Sequence, residues 1–343
     1  MMNSVERVKK VVHFQKPDKI PIRNLSMRAA LYEHGRKLVD LYKEYKGDFG
    51  DPAPAEIPKP EPQNILPDGS FHRIEKDAWG VEWEFVKFGI AGHPLSRPLD
   101  NMENLRTYKT PEIPKLSGKE FEEKKAAVKK RRETAYGLAG WINIFEIMHA
   151  VRNFEDVLMD IADNTEEINR LADMIVEYQA GVVKHLVALG VNGIMMADDW
   201  GSQNSLLIKR ETWRAFFKPR YAKLAKPIKD AGIDVFFHSC GHILPLFNDF
   251  ADLGVNVIWP QFASNDPELL AKKAIERKMC VELHMDRQKL MTFGTPDEID
   301  AAVKKARGIF GNKDGGVIYH AEIDNGFPFE NIKALLKAFR KYG

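Results

Sequence analysis

The stretch VFFHSCGH, Val235 to His242, is an apolar run that stops at a histidine and places a cysteine two residues later. His238 and Cys240 offer an imidazole nitrogen and a thiolate from one tight loop. Zn²⁺ accepts both, and its catalytic sites use three protein ligands and leave a fourth position open. Cysteine is scarce here: the chain has two, Cys240 and Cys280. Two cannot form a disulfide framework, so Cys240 is expected as a thiol or thiolate in a reducing, intracellular setting. Cys280 lies near the start of its apolar run, KMCVELHM, four residues before His284, and is expected to pack as core.

Other apolar runs end in side chains of the same kind. Asp198 and Asp199 close MADD, Gln261 closes IWPQ, His284 and Asp286 close ELHMD, and His320, Glu322 and Asp324 close IYHAEID. Glu322 is the expected third metal ligand, because it ends the last of these runs, with Cys280 the alternative. Neighbouring residues of an extended chain point to opposite sides, so only one of Asp198 and Asp199 can face a site with the others. Its partner is expected to cap the following helix or pair with a base.

These residues need elements to bring them together. VNGIMMAD, IDVFFHSC, VNVIWPQ, KMCVELHM and GGVIYHAE are strand-length and apolar on both faces, as buried parallel strands are, and helical stretches separate them. Asp266-Pro267-Glu268 starts one helix, and Thr295-Pro296-Asp297-Glu298 is a capping box with proline at the first helical position. Eight such units predict an α/β fold, a (β/α)₈ TIM barrel with N-terminal additions, in which the strand ends share one mouth. An open doubly wound sheet is the structural alternative, although no Gly-x-Gly-x-x-Gly follows a strand.

The whole chain, 1–343, is read as one domain, with an elaborated section over 1–135 and regular βα units over 136–343. In the first section IPIRNLS predicts a strand, Arg28 to Tyr45 a helix, and DAWGVEWEFVKFG a hairpin strand after a proline-rich run. The run Lys119 to Thr134 mixes both charges at helical spacing and is expected to be a solvated helix face.

Composition excludes other classes. With 51 basic against 49 acidic residues the net charge is +2, which gives no field favouring nucleic acid or an anionic membrane. No window approaches the ~18 uninterrupted apolar residues of a membrane span, and the first residues show no signal-peptide core, so a cytoplasmic protein is expected. Gly-x-Ser-x-Gly and phosphate-binding loops are both absent from the sequence.

Three segments in order, ADDWGSQNSLLIKRETW through VFFHSCGH to VIWPQ, then MDRQKLMTFGTPDEI, then GGVIYHAEIDNGFPFENIKAL, resemble the uroporphyrinogen decarboxylase superfamily over nearly the whole chain. Its members are (β/α)₈ barrels: metal-free decarboxylases, and zinc-dependent methyltransferases that work with corrinoid proteins. The decarboxylases carry Met-Arg-Gln-Ala-Gly-Arg near the N-terminus. Here MRAALYEHGR keeps Met27, Arg28 and Arg36 but loses that spacing. His238-x-Cys240 is the mark of the methyltransferase branch. The coenzyme M methyltransferases of that branch add a cysteine after the last strand, where this chain has Glu322.

The resemblance therefore implies a methyltransferase that moves a methyl group from a methoxylated aromatic compound to the cobalt(I) of a corrinoid protein. A methylcobamide:thiol methyltransferase, a uroporphyrinogen decarboxylase and a non-catalytic metal-bearing scaffold are the alternatives. On this reading His238, Cys240 and Glu322 hold Zn²⁺, Asp199 and His320 are catalytic, and Asp198, Trp200, Gln203 and Tyr319 bind substrate. Trp79, Trp83 and Phe85 are further candidates for flat walls around a ring. The corrinoid (cobalamin) is expected on a separate partner protein, since the chain has no Asp-x-His-x-x-Gly of its own. A homodimer is the other association considered.

Overall fold

The computed structural model describes residues 2–50, 54, 56–311 and 313–343. Its central sheet has seven parallel strands: β1 (Ile22–Ser26), β5 (Leu138–Ile142), β6 (Gly193–Ala197), β7 (Asp234–Ser239), β8 (Val257–Pro260), β9 (Cys280–Leu283) and β10 (Val317–Ile323), in the order β1-β10-β9-β8-β7-β6-β5. Between β1 and β5 the chain forms a small antiparallel sheet of β2 (Arg73–Lys76), β3 (Glu82–Phe85) and β4 (His93–Ser96).

The large sheet curls. Leu25, Leu138, Met195, Phe236, Val257, Trp259, Cys280 and Ile318, which between them come from all seven strands, meet in one apolar cluster. A flat sheet would not bring its two edges to a common interior. Val8, Val11 and Val12 of the helix Ser4–Val12 join that cluster and close the end where the strands begin. The Gly316 N–H donates to Val11 O at 2.9 Å, which ties this helix to the chain entering β10.

Where eight strands were expected, the described residues form seven, with an irregular link between the two edges. Between the edges β1 and β5, the Asp48 N–H donates to Ile22 O at 2.7 Å and the Tyr136 N–H donates to Asp48 O at 2.9 Å. The Asp48 carboxylate also accepts from the Ile22 N–H at 3.0 Å and pairs with Arg7. The described residues that follow include Pro54, Pro58, Pro60 and Pro62, which have no N–H to give a ladder. Gly47 fits so closely against β1 that an added Cβ would lie 2.7 Å from Ile22 O.

A second apolar layer lies between the sheet and the surrounding helices, and Leu38, Tyr42, Val81, Leu99 and Phe121 of the N-terminal section belong to it. The helix predicted over Arg28 to Tyr45 is two helices, Arg28–His34 and Arg36–Glu44, which meet at Gly35 with φ +53°. Lys119–Arg131 is a helix whose single buried residue is Phe121. The capping box at Thr295 and Glu298 is formed. Among the described residues no helix is long and apolar enough to cross a membrane.

Candidate metal centre at the strand ends

β6 and β7 pair in register, Ala197 beside His238, so the residues that follow each strand emerge side by side. Asp199, His238 and Cys240 place one donor atom each within 4.8 Å of one another. His238 Nε2 lies 3.4 Å from Cys240 Sγ and 3.6 Å from Asp199 Oδ1. Tetrahedral zinc with N, O and S ligands sets donors roughly 3.3–3.6 Å apart, so two of the separations already suit such an ion.

Two glycines permit this convergence. A Cβ on Gly241, at φ +76°, would lie 2.0 Å from Gly201 O, and one on Gly201 would lie 2.3 Å from the His242 nitrogen. The loops after β6 and β7 therefore touch backbone to backbone. Their contact is fixed by the Cys240 N–H donating to Asp199 Oδ1 at 2.7 Å and the Trp200 N–H donating to Ser239 Oγ at 2.9 Å.

His238 is oriented from behind. Its Nδ1 is 3.0 Å from Trp259 O, and a carbonyl only accepts, so Nδ1 carries the proton and Nε2 presents its lone pair to the trio. Burial pushes the imidazole down to about 4, against the pull of Asp199 and Glu322, so it is neutral and ready as a ligand. Burial, with the adjacent Asp199 charge, pushes the Cys240 thiol up. A thiol beside a carboxylate favours its proton until a cation arrives, and a dication inverts that preference. In chemistry and spacing, the donor set fits zinc.

The expected third ligand, Glu322, is engaged elsewhere. His284 Nδ1 donates to Glu322 Oε2 at 3.0 Å, because His284 Nε2 already accepts the Phe262 N–H, and Arg287 Nη1 donates to Glu322 Oε1 at 2.6 Å. Burial works to raise the Glu322 carboxyl, but the His284 hydrogen bond and the nearby cationic groups hold it at about 2. Each oxygen thus carries one hydrogen bond, and Asp199 is the carboxylate whose oxygen lies within 4.8 Å of the donors of His238 and Cys240. The alternative ligand, Cys280, is wholly buried inside the sheet.

The remaining candidates separate by strand alternation. His320 points inward but lies below the mouth, fully buried, with Nδ1 3.0 Å from Glu282 Oε1, while Arg23 holds the same oxygen at 2.7 Å. Tyr319 points the other way and stacks on Phe339 at 4.5 Å, which places it against a helix and not at the mouth. Trp200 is wholly buried against Phe145, Trp213 and Phe217, so it presents no face to a ligand. Asp198 accepts the Ile144 and Glu146 N–H groups at 2.8 Å each and bonds to Tyr221, so it caps the helix Phe145–Val151, which precedes it in the chain, and not the following helix as expected. Gln203 lies on the exposed loop beyond, 3.4 Å from Ser264 Oγ.

A family model described as uroporphyrinogen decarboxylase matches residues 73–342. The chain belongs to the uroporphyrinogen decarboxylase family. Among solved structures, a methyltransferase from Methanosarcina mazei overlays 100% of this chain and 99% of its own at TM-score 0.65 and 17% identity, so the two share a fold. A 3-keto-D-glucoside 4-epimerase from E. coli overlays 73% of this chain and 97% of its own at TM-score 0.41 and 14% identity. No curated protein sequence matches the chain.

In this member of the uroporphyrinogen decarboxylase family the sequence reading missed Trp141. Its ring centre is 5.7 Å from that of His238, and half of the residue is exposed. The aromatic residues proposed in its stead have other work: Trp79 packs on Tyr178, Trp83 Nε1 donates to Asp77 at 2.8 Å, and Phe85 lies under Arg73. The one signal in the sequence was the glycine before Trp141 in YGLAGWINI. Next to the trio, a cavity of about 340 Å³ opens between Ile90, Gln261, His284, Arg287 and Asp324. Gln261 Oε1 accepts the Gly241 N–H at 2.9 Å, so one wall of the cavity is a hydrogen bond away from the donor loop.

Proposed function

We propose that this protein is a zinc-dependent methyltransferase that moves a methyl group from a methoxylated aromatic compound to the cobalt(I) of a separate corrinoid protein. The observation that carries the reading is the convergence of Asp199, His238 and Cys240 at the strand ends, an O, N and S donor set. The methyltransferase activity named for the Methanosarcina structure agrees with it. When bound, the metal supplies Lewis acidity at the ether oxygen and the partner's corrinoid supplies the nucleophile.

The chain's own residues do the positioning. Trp259 O keeps the His238 lone pair facing the trio, and Cys240 N–H keeps Asp199 in place. The two glycine contacts hold both loops rigid, which limits the reorganisation needed when a donor oxygen arrives. Glu322, clamped by His284 and Arg287, keeps a fixed negative charge beside the cavity, and Arg287 lines that cavity itself. In the decarboxylase alternative Arg28 and Arg36 would grip carboxylates together, but Arg36 is exposed and 3.7 Å from Asp40 while Arg28 sits over Phe88.

Zinc analysis and a donor screen test the proposal. The purified protein is expected to hold about one zinc per chain and to convert reduced cobalamin to methylcobalamin with guaiacol-like methoxyphenols. Methanol, with a far more basic leaving group, is expected to be a much poorer donor. Turnover with methanol or a methylated thiol and none with any methoxyaromatic defeats the donor assignment. Porphyrinogen decarboxylation without zinc defeats the methyltransferase assignment as well.

A further inference from the structure

β5 does not run straight. Its register against β6 shifts between Ala139 and Ile142, and Gly140 sits at φ +88°, where a Cβ would come within 2.8 Å of Leu186 Cδ1. A bulge of this kind re-aims the next side chain. Here the next side chain is Trp141, and the bulge turns it into the mouth, where it leans on His238 with the two ring planes 33° apart and lies 6.3 Å from Trp259. Trp141 is 50% exposed, although the rings beside it are buried. A large flat ring is thus aimed by a left-handed glycine and left half exposed beside His238, one of the donor trio, where it is free to meet a ligand.

Building on the methyl-transfer reading above, we propose that Trp141 is the specificity-determining wall of the site. Its exposed face stacks on the planar aromatic ring of the methyl donor and so sets the methoxy group at Asp199, His238 and Cys240. An indole face favours an offset or edge-on aromatic partner over a puckered aliphatic one of the same size, because only a flat ring meets it across its whole area. The neighbouring cavity, with Gln261, His284 and Arg287 on its walls, accepts the ring's polar substituents.

Calorimetry on the full-length, zinc-loaded protein tests this, with guaiacol, phenol, methoxycyclohexane and tetramethylammonium as probes. Guaiacol and phenol are expected to bind, and methoxycyclohexane at least tenfold more weakly. Trp141→Ala is expected to weaken guaiacol about tenfold, while Trp141→Phe stays within about threefold of the native protein. Zinc content and melting temperature should be the same in all three proteins, which separates a lost wall from a damaged fold or metal site. Equal guaiacol affinity in the native protein and Trp141→Ala overturns the role of Trp141 and leaves the methoxyaromatic donor standing. Failure of the native protein to bind either aromatic probe, or preference for tetramethylammonium, overturns both.

Discussion

The backbone N–H of Cys240 donates to Asp199 Oδ1 at 2.7 Å, so the carboxylate of the donor trio is held by the residue whose thiol stands beside it. This bond crosses from the loop after β6 to the loop after β7. It makes the trio a product of two loops docked together, and changes to that docking should be felt as changes in metal affinity.

Asp199→Ala is expected to lower zinc affinity by at least tenfold, whereas Glu322→Gln, which alters a residue held by His284 and Arg287, should retain zinc near one per chain. Elemental analysis after dialysis against a graded chelator checks the pair. Zinc loss in Glu322→Gln with retention in Asp199→Ala would reverse the assignment.

Gly241→Ala touches no donor atom, yet a Cβ there would lie 2.0 Å from Gly201 O. It should force the loops apart and reduce both stability and bound zinc. Gly232→Ala is the control: its φ is +67° but nothing lies within 4 Å of the added carbon, so only the backbone cost of about 1 kcal/mol is expected. Chemical denaturation and zinc content of the two variants make the comparison.

Acid should destabilise the fold through its buried carboxylates. Glu282 is held at about 2 against a usual 4.5: burial would raise it, but the charge of Arg23 and the His320 contact lower it further. Glu322 is likewise at about 2. Because the folded values lie below the unfolded ones, this stabilisation is present above pH 4.5 and lost as pH falls from there toward 2. Denaturation midpoints across that range should drop, and Glu282→Gln, which leaves Arg23 without its buried partner, should cost about 3 kcal/mol at neutral pH while flattening the acid slope.

Trp200→Ala and Trp141→Ala should behave as opposites. Trp200 is wholly buried between Phe145 and Phe217, so truncation should cost about 3–5 kcal/mol in stability. Trp141, half exposed, should lose little. Thermal melts of the two proteins side by side decide this.

Much of this protein could be read from its residues. Apolar runs of strand length fixed β6 to β10, the Thr295 capping box began a helix, and the polar residues closing each run marked the end of the sheet where chemistry collects. The alternation of an extended chain foretold that Asp198 and Asp199 would part, one facing the site and one turned away, although Asp198 caps the preceding helix Phe145–Val151 and not the one that follows. These are short-range matters, settled by period, propensity and cap chemistry within a few residues.

What the tertiary structure decided depends on distance in space between residues far apart in sequence. Glu322 and Asp199 are equally good ligands on paper, and only the packing of β9 against β10 gives Glu322 to His284 and Arg287. The approach of Gly201 to Gly241 brings Asp199 to His238 and Cys240, because a contact 40 residues long cannot be seen in either loop alone. Likewise Asp48 bridges β1 and β5 where a further strand was expected, and the bulge at Gly140 set Trp141 over His238. Local chemistry chose which residues are capable of ligation; the curvature of the sheet and the close contact of two backbones chose which of them meet.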